Sequence, residues 1–325
     1  MKKLIQRHIK YIDFLKGFTI LLVIFGHCIQ YTPHLNYTLI QCLWNIIYTF
    51  HMGLFMFLSG MVSNYQQANY KDTINNIKKK FIRLIIPFLT WGILTSLITD
   101  NTIYSIIKFP DRGLWFLPTL FIISLIFDFS QYLSYLYKKN NYFFISIGYI
   151  ILLLIVNFIT GGFGLWFAAY YFIYYFIGIL FSQYSNQILR YHKFIIPLCI
   201  FMYLYMFPTW SFAQVSTIPD ILFNYSIALC AILPIVLSTI IWYQKGKQSK
   251  PLENLGLDSL GIYASHFYFM WFSIDLLGVL SIYPIIKCII VFIFSTIGSI
   301  ITCKILPMNQ ITSFLFIGKY NKSCK

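Results

Sequence analysis

The chain has 325 residues, 59% hydrophobic and only 10% charged, with a mean hydropathy of +0.72 and a formal net charge of +15. A soluble domain carries about 25% charged residues, so a globule in water is excluded: there is too little polar surface to cover it. The basic excess follows from an asymmetry across a membrane, and nucleic acid is not expected as a partner.

Apolar runs of about 18–24 residues recur, the length that crosses a hydrocarbon core of about 30 Å. They predict an all-α polytopic membrane bundle of about ten transmembrane helices, at roughly 12–31, 42–63, 82–100, 114–136, 142–158, 165–183, 193–208, 221–243, 259–279 and 283–305. Prolines 87, 118, 197, 234 and 284 fall near or inside these spans, where neighbouring helices can satisfy the freed carbonyls. With a cytoplasmic N-terminus, 21 of the 24 basic residues lie on the inner side and only Lys108, Arg112 and Lys287 outside. That split places both termini in the cytoplasm and supports an even number of spans. The first apolar run continues to spanning length without a small-residue cleavage site, so no cleavable signal is expected. The expectation is one integral-membrane domain over 1–325, with a short cytoplasmic tail at about 307–325, in the cell (cytoplasmic) membrane among its lipids. The seven cysteines (28, 42, 199, 230, 288, 303 and 324) form no CxxC pair. They read as packing residues, with no disulfide framework and no metal site indicated.

Ionisable groups inside spans are costly and therefore mark functional positions. The first span reads Tyr11-Ile-Asp13-Phe-Leu-Lys16-Gly17, then Gly26-His27. Lys16 and His27 are eleven residues apart, about 20° past three full turns, so they share a face about 16 Å apart along the axis. Asp13 lies close enough to Lys16 for an i,i+3 ion pair. The plain alternative for these two is a boundary pair with a snorkelling lysine. His27 lies well inside the span, where an apolar residue would pack at less cost.

The second span carries Phe50-His51-Met-Gly-Leu-Phe-Met-Phe-Leu-Ser59-Gly60. Counted from its outer end, His51 falls in the outer half, level with His27. The two histidines could share a substrate, or one could orient the other; a lone histidine satisfied by a neighbour is the plain reading. Lys78-Lys79-Lys80 and Arg83 stand at the cytoplasmic mouth of the third span. They are either an inner-side anchor or a phosphate landing site in which Arg83 grips bidentately. The outer loop 101–113 ends in Asp111-Arg112-Gly113-Leu114-Trp115. With 33 Phe, 26 Tyr and 7 Trp, Trp115 belongs either to an interfacial aromatic belt or to a sugar-stacking surface. Asp128, in the fourth span, is expected to hydrogen-bond inside the bundle. In the ninth span, Ser259-Leu-Gly261-Ile-Tyr263-Ala-Ser265-His266 precedes Asp275, which lies half a turn out of phase with His266. By the same counting of depth, His266 falls in the inner half and out of reach of His27.

Taken together and in this order, these segments resemble the integral-membrane acyltransferase family (the acyltransferase-3 family), especially its fucose O-acetylase-like branch. Lys16 with His27 is similar to that family's Arg/Lys-x10-His motif. Phe50–Gly60, Arg83-Leu-Ile-Ile-Pro87, Leu114-Trp115-Phe116-Leu117 and Ser259–His266 extend the likeness over residues 11 to 266. The resemblance implies transfer of an acyl group, usually acetyl and not amino-acyl, from cytoplasmic acyl-CoA. The acceptor it implies is a hydroxyl of a cell-surface or lipid-linked carbohydrate such as an exopolysaccharide, capsule or lipid-linked glycan. By that likeness His27 is the catalytic residue, Lys16 its motif partner and Arg83 a donor-binding residue.

The expected site is therefore His27, Lys16 and His51 for catalysis, Arg83 and Lys80 for the donor, and Trp115, Asp13 and His266 for the substrate. Acetyl-CoA or another acyl-CoA serves as co-substrate, with no tightly bound cofactor. His27 acts either as general base or as a transiently acylated relay, and His51 positions the acceptor or polarises the thioester. A non-enzymatic transporter or flippase of a glycan intermediate is the alternative, and the oligomeric state is left open.

Overall fold

A computed structural model describes residues 2–35, 37–63, 68–99, 102–108, 114–158, 164–212, 217–278, 280 and 282–319, with side chains from Lys10 onward. The described residues form helices joined by short turns. In chain order they are α1 (Lys2–Tyr31), α2 (Thr38–Met61), α3 (Tyr70–Lys80), α4 (Ile86–Ile98), α5 (Ile103–Lys108), α6 (Phe116–Tyr137) and α7 (Asn141–Phe158). There follow α8 (Leu165–Arg190), α9 (His192–Met206), α10 (Ile218–Gln244), α11 (Lys250–Leu257), α12 (Ser259–Gly278), α13 (Pro284–Ile305) and α14 (Gln310–Thr312).

Among the described residues, nine helical stretches are long and apolar enough to cross a membrane. Nine of the ten expected spans correspond to them. The remaining one, 259–279, is α12, a 20-residue helix whose serines, His266 and Asp275 dilute its hydropathy. The chain is a polytopic all-α membrane protein. Its outward surface agrees: α9 buries none of its residues, and Phe201, Leu204 and Tyr205 stand 64–76% exposed, a face suited to lipid and not to water. Many hydroxyls within the spans bond back to the preceding turn, as Thr19 does to the Leu15 carbonyl (2.6 Å) and Ser265 to that of Gly261 (2.9 Å). No water is then needed to satisfy them.

The chain divides into two compact units, residues 1–61 with 180–300 and residues 62–179 with 301–325. In the first, α1 is central: Ile12, Leu15, Ile20, Val23 and Ile24 are at most 1% exposed, at the three- and four-residue spacing of a helix buried on several sides. It packs on α2, α10, α11 and α12. The closest approach is backbone to backbone. A Cβ on Gly17 would lie 1.9 Å from the Leu252 carbonyl oxygen, and one on Gly256 would lie 1.7 Å from that of Asp13. Only glycine at both places lets α1 and α11 meet at this distance. The buried Glu253 secures α11 further by accepting a 2.7 Å hydrogen bond from Tyr243 of α10.

In the second unit, α3 leads into α4 through a π-helical turn, Phe81–Ile85, in which the Ile86 N–H reaches back to the Phe81 carbonyl. Pro87 is the cause. It has no N–H for the Arg83 carbonyl, and its ring crowds that position, so the turn widens. The C-terminal segment then closes over this turn. Trp91 Nε1 donates to the Phe316 carbonyl (3.0 Å), and Gly318 (φ +67°) sits where a Cβ would be 2.6 Å from the Arg83 Cα.

Gly256→Ala is expected to force α11 off α1 and lower thermal stability in detergent by the equivalent of about 1–3 kcal/mol, the usual cost of overpacking. Gly278→Ala, which meets nothing within 4 Å, is the control and leaves the melting temperature unchanged or slightly higher.

Candidate active site

His27 lies four residues before the end of α1 and is half-buried. The residue before it makes room for a partner: a Cβ on Gly26 would come within 2.9 Å of Tyr48 Cε2. The Tyr48 ring therefore lies against α1, with its hydroxyl 3.3 Å from His27 Nδ1 and 2.5 Å from Gln30 Oε1. A phenol has one proton, and the shorter contact, to an amide oxygen that can only accept, takes it. The phenolic oxygen is then an acceptor for His27 Nδ1–H. His27 is thereby held as the Nδ1–H tautomer, with the lone pair on Nε2.

His266 reaches the same place. Its ring stacks on that of His27 with centroids 5.5 Å apart and planes 23° apart, and Phe267 lies against both at 4.7 and 4.3 Å. His266 is fully buried, and its Nδ1–H donates to the Tyr263 carbonyl at 2.7 Å. Its Nε2 is buried without a hydrogen-bond partner. Buried polar atoms are almost always paired, and an exception inside a polar cluster marks a place for a ligand group.

This corrects the expected depth of His266, which the count along apolar segments put out of reach of His27. The glycine contact explains the difference. Gly17 and Gly256 touch, and each histidine follows its glycine by ten residues, about 15 Å of helix. With α11–α12 running alongside α1 in the same direction, equal offsets bring the two rings to one level.

His51 is buried, and its Nδ1–H donates to the Ile47 carbonyl at 2.8 Å. It meets the site through Tyr48, whose ring centroid is 4.8 Å away. All three histidines thus carry the proton on Nδ1 and the lone pair on Nε2. A cleft of about 350 Å³ opens next to them, lined among others by Gln30, Tyr31, Thr32, Gln41 and Trp44. Trp44 stacks on Tyr48 at 4.1 Å, so the wall of the cleft is continuous with the histidine cluster. Asp13 and Lys16 lie on the unbroken α1, both half-buried, and the Asp13 carbonyl is one of the oxygens against Gly256.

In the second unit, Arg83 is exposed on the π-helical turn, and Lys78 and Lys79 are exposed just before it. Lys80 is differently engaged: its Nζ binds both oxygens of the buried Asp128, at 2.7 and 2.8 Å. Asp128 is thus the internal hydrogen-bonding residue expected, and it neutralises one of the four cations. The Trp115 indole stacks on Phe167 (4.6 Å) and Tyr171 (5.0 Å) of α8. Residues 111–113, expected to lead into it, lie outside the described residues, as do the terminal residues 320–325.

The acyltransferase domain model matches residues 9–304. The chain belongs to that acyltransferase family. A curated relative, the nodulation protein NolL of Mesorhizobium japonicum, is 35% identical over 107 residues, 31% of this chain and 26% of the relative. The chain therefore spans about a quarter of that relative's length. No solved structure matches.

Sequence reasoning missed Tyr48 and Gln30. Each stands three residues from a histidine it had singled out, Tyr48 before His51 and Gln30 after His27, so a search of helical neighbours offered the only signal.

Asp128→Ala leaves the Lys80 ammonium without its counter-charge, and a loss of about 3 kcal/mol of stability is expected. Pairing Asp128→Leu with Lys80→Met recovers most of that loss, as thermal unfolding of the single and double variants in detergent would measure.

Proposed function

We propose that this protein is an O-acyltransferase that moves an acyl group, usually acetyl, from acyl-CoA to a hydroxyl of a cell-surface or lipid-linked carbohydrate. The single observation that carries this reading is the pair of stacked imidazoles His27 and His266. One is fixed with its lone pair on Nε2, and the other has a buried Nε2 awaiting a donor. A sugar hydroxyl is a weak nucleophile until a base removes its proton, and a neutral imidazole is suited to that near neutral pH.

In this reading the acceptor lies with one hydroxyl at His27 Nε2 and a second hydrogen-bonded to His266 Nε2. His27 takes the first hydroxyl's proton as its oxygen attacks the thioester carbonyl. The C–O bond forms, the C–S bond breaks, and the imidazolium returns the proton to the departing thiolate. His51 helps to orient the acceptor through Tyr48. Acylation of His27 itself, with later transfer to the hydroxyl, uses the same Nε2.

The donor's phosphates are assigned to Arg83 with Lys78 and Lys79, whose exposed cations suit such a group. Lys80, bound to Asp128, contributes less than first expected. Lys16 and Asp13 are assigned to the approach along α1, and Trp115 to packing against α8 more than to a sugar. The basic-residue bias supports cytoplasmic termini and the cytoplasmic membrane as the location.

Membranes containing the protein, incubated with labelled acetyl-CoA, are expected to form a base-labile carbohydrate ester. His27→Ala at matched expression reduces that label by about 10²–10⁴-fold. Label that appears equally in wild type and His27→Ala would overturn the assignment.

For His266, the expectation separates two variants. His266→Phe keeps the aromatic stack, removes the acceptor nitrogen and raises the acceptor KM by about tenfold or more. His266→Gln, which can offer an oxygen there, retains part of the affinity. Equal KM values for both variants and wild type would remove His266 from the acceptor site.

A further inference from the structure

We propose that Tyr48 and Gln30 form a positioning relay that makes His27 Nε2, and not Nδ1, the reacting nitrogen. The inference rests on the acyltransferase reading for its purpose but on hydrogen-bond geometry for its content. Gln30 Oε1 has no proton to give and accepts the Tyr48 hydroxyl at 2.5 Å. The phenolic oxygen, its proton spent, faces His27 Nδ1 at 3.3 Å as an acceptor. Two fixed consequences follow. Resting His27 keeps one tautomer, which removes the fraction of molecules whose Nε2 would be protonated and inert. Once Nε2 has taken a proton or an acyl group, the positive charge on the ring strengthens the Nδ1–H bond to Tyr48. The bond from Tyr48 to Gln30 tightens with it. The relay therefore favours the charged intermediate over the resting state, which is what a catalytic environment has to do.

The surrounding packing holds the relay in place. Gly26 admits the Tyr48 ring, and Trp44 stacks on that ring at 4.1 Å with planes 26° apart. Gln30 also lines the 350 Å³ cleft, so the far end of the relay lies where a ligand in that cleft can touch it. Tyr48 itself does not touch the reacting atoms in this scheme. It acts through His27 and is a positioning residue.

The test uses diethyl pyrocarbonate as the acylating probe on the full-length protein in detergent, with residue-resolved mass spectrometry. Imidazole nitrogen attacks a probe carbonyl, the anhydride C–O bond breaks, and ethyl carbonate leaves and decays to ethanol and carbon dioxide. The ring proton is lost to buffer, giving N-carbethoxyhistidine. Exposed His34 serves as the internal reference. Tyr48→Phe preserves the stack on Trp44 but removes the oxygen, and His27 labelling relative to His34 is expected to fall by about two- to tenfold, as part of the population then carries its proton on Nε2. Gln30→Leu falls similarly, Gln30→Glu is rescued because its carboxylate still accepts from Tyr48, and Tyr48→Phe with Gln30→Leu is no worse than Tyr48→Phe alone. The nitrogen-15 shifts of the His27 ring give a second readout, with Nδ1 protonated in wild type and a tautomer mixture in Tyr48→Phe.

Unchanged His27 labelling and an unchanged tautomer in Tyr48→Phe would overturn the relay, even if acetyl transfer by the wild type is robust. Conversely, an absence of acetyl transfer with the labelling pattern as expected would count against the acyltransferase reading and leave the relay standing.

Discussion

The backbone contact between Gly17 and Gly256 sets the register of the first unit. Helices with side chains at their crossing ordinarily lie 8–10 Å apart. Here each glycine faces a carbonyl on the other helix at a distance no Cβ could tolerate. Such a contact admits no sliding by a residue in either direction, because any neighbour brought to the crossing carries a side chain. The position of α11 along α1 is therefore fixed, and α12, which follows after Asp258, inherits it. His27 and His266 meet because each stands ten residues beyond the crossing.

What collects around that meeting point is chemically one-sided. Carbonyls of Ile47 and Tyr263 and the oxygen of Tyr48 take the Nδ1 protons of the three histidines. The lone pairs are left on Nε2. In a membrane interior an unmatched lone pair is costly, and many hydroxyls in the spans avoid it by turning back on their own carbonyls. His266 Nε2 is one of several buried side-chain atoms without a hydrogen-bond partner among the described residues, Thr119 Oγ1 and Ser295 Oγ included, and it lies inside the histidine cluster.

The second unit solves a different problem, how to present cations at a helix that must also enter the membrane. Pro87 denies the Arg83 carbonyl its helical partner, the π-helical turn absorbs the extra residue, and Gly318 packs against the exposed backbone. Arg83 stays outside this contact with Lys78 and Lys79, whereas Lys80 turns inward to Asp128. Of these four cations close in sequence, one is paired inside the unit and three stay exposed.

Composition and segment length determined the class of molecule and nearly all of its spans, since hydrocarbon thickness imposes one length on every crossing helix. Helical periodicity also placed Lys16 and His27 on one face, because α1 is unbroken between them. The motifs singled out His27, His51 and His266 as separate positions, and each is in the cluster. Depth was not legible for His266. Apolar segments report where a helix can begin and end, but not how far it slides against its neighbour, and a glycine crossing 10 residues away set that offset. Tyr48 and Gln30 were hidden for a related reason: beyond a three-residue spacing from a histidine, nothing local marks, among 26 tyrosines, the one whose hydroxyl reaches a histidine on another helix. Sequence determined what each helix is, and the tertiary structure decided which polar atoms share a space, because close packing fixes translations between helices that no single helix encodes.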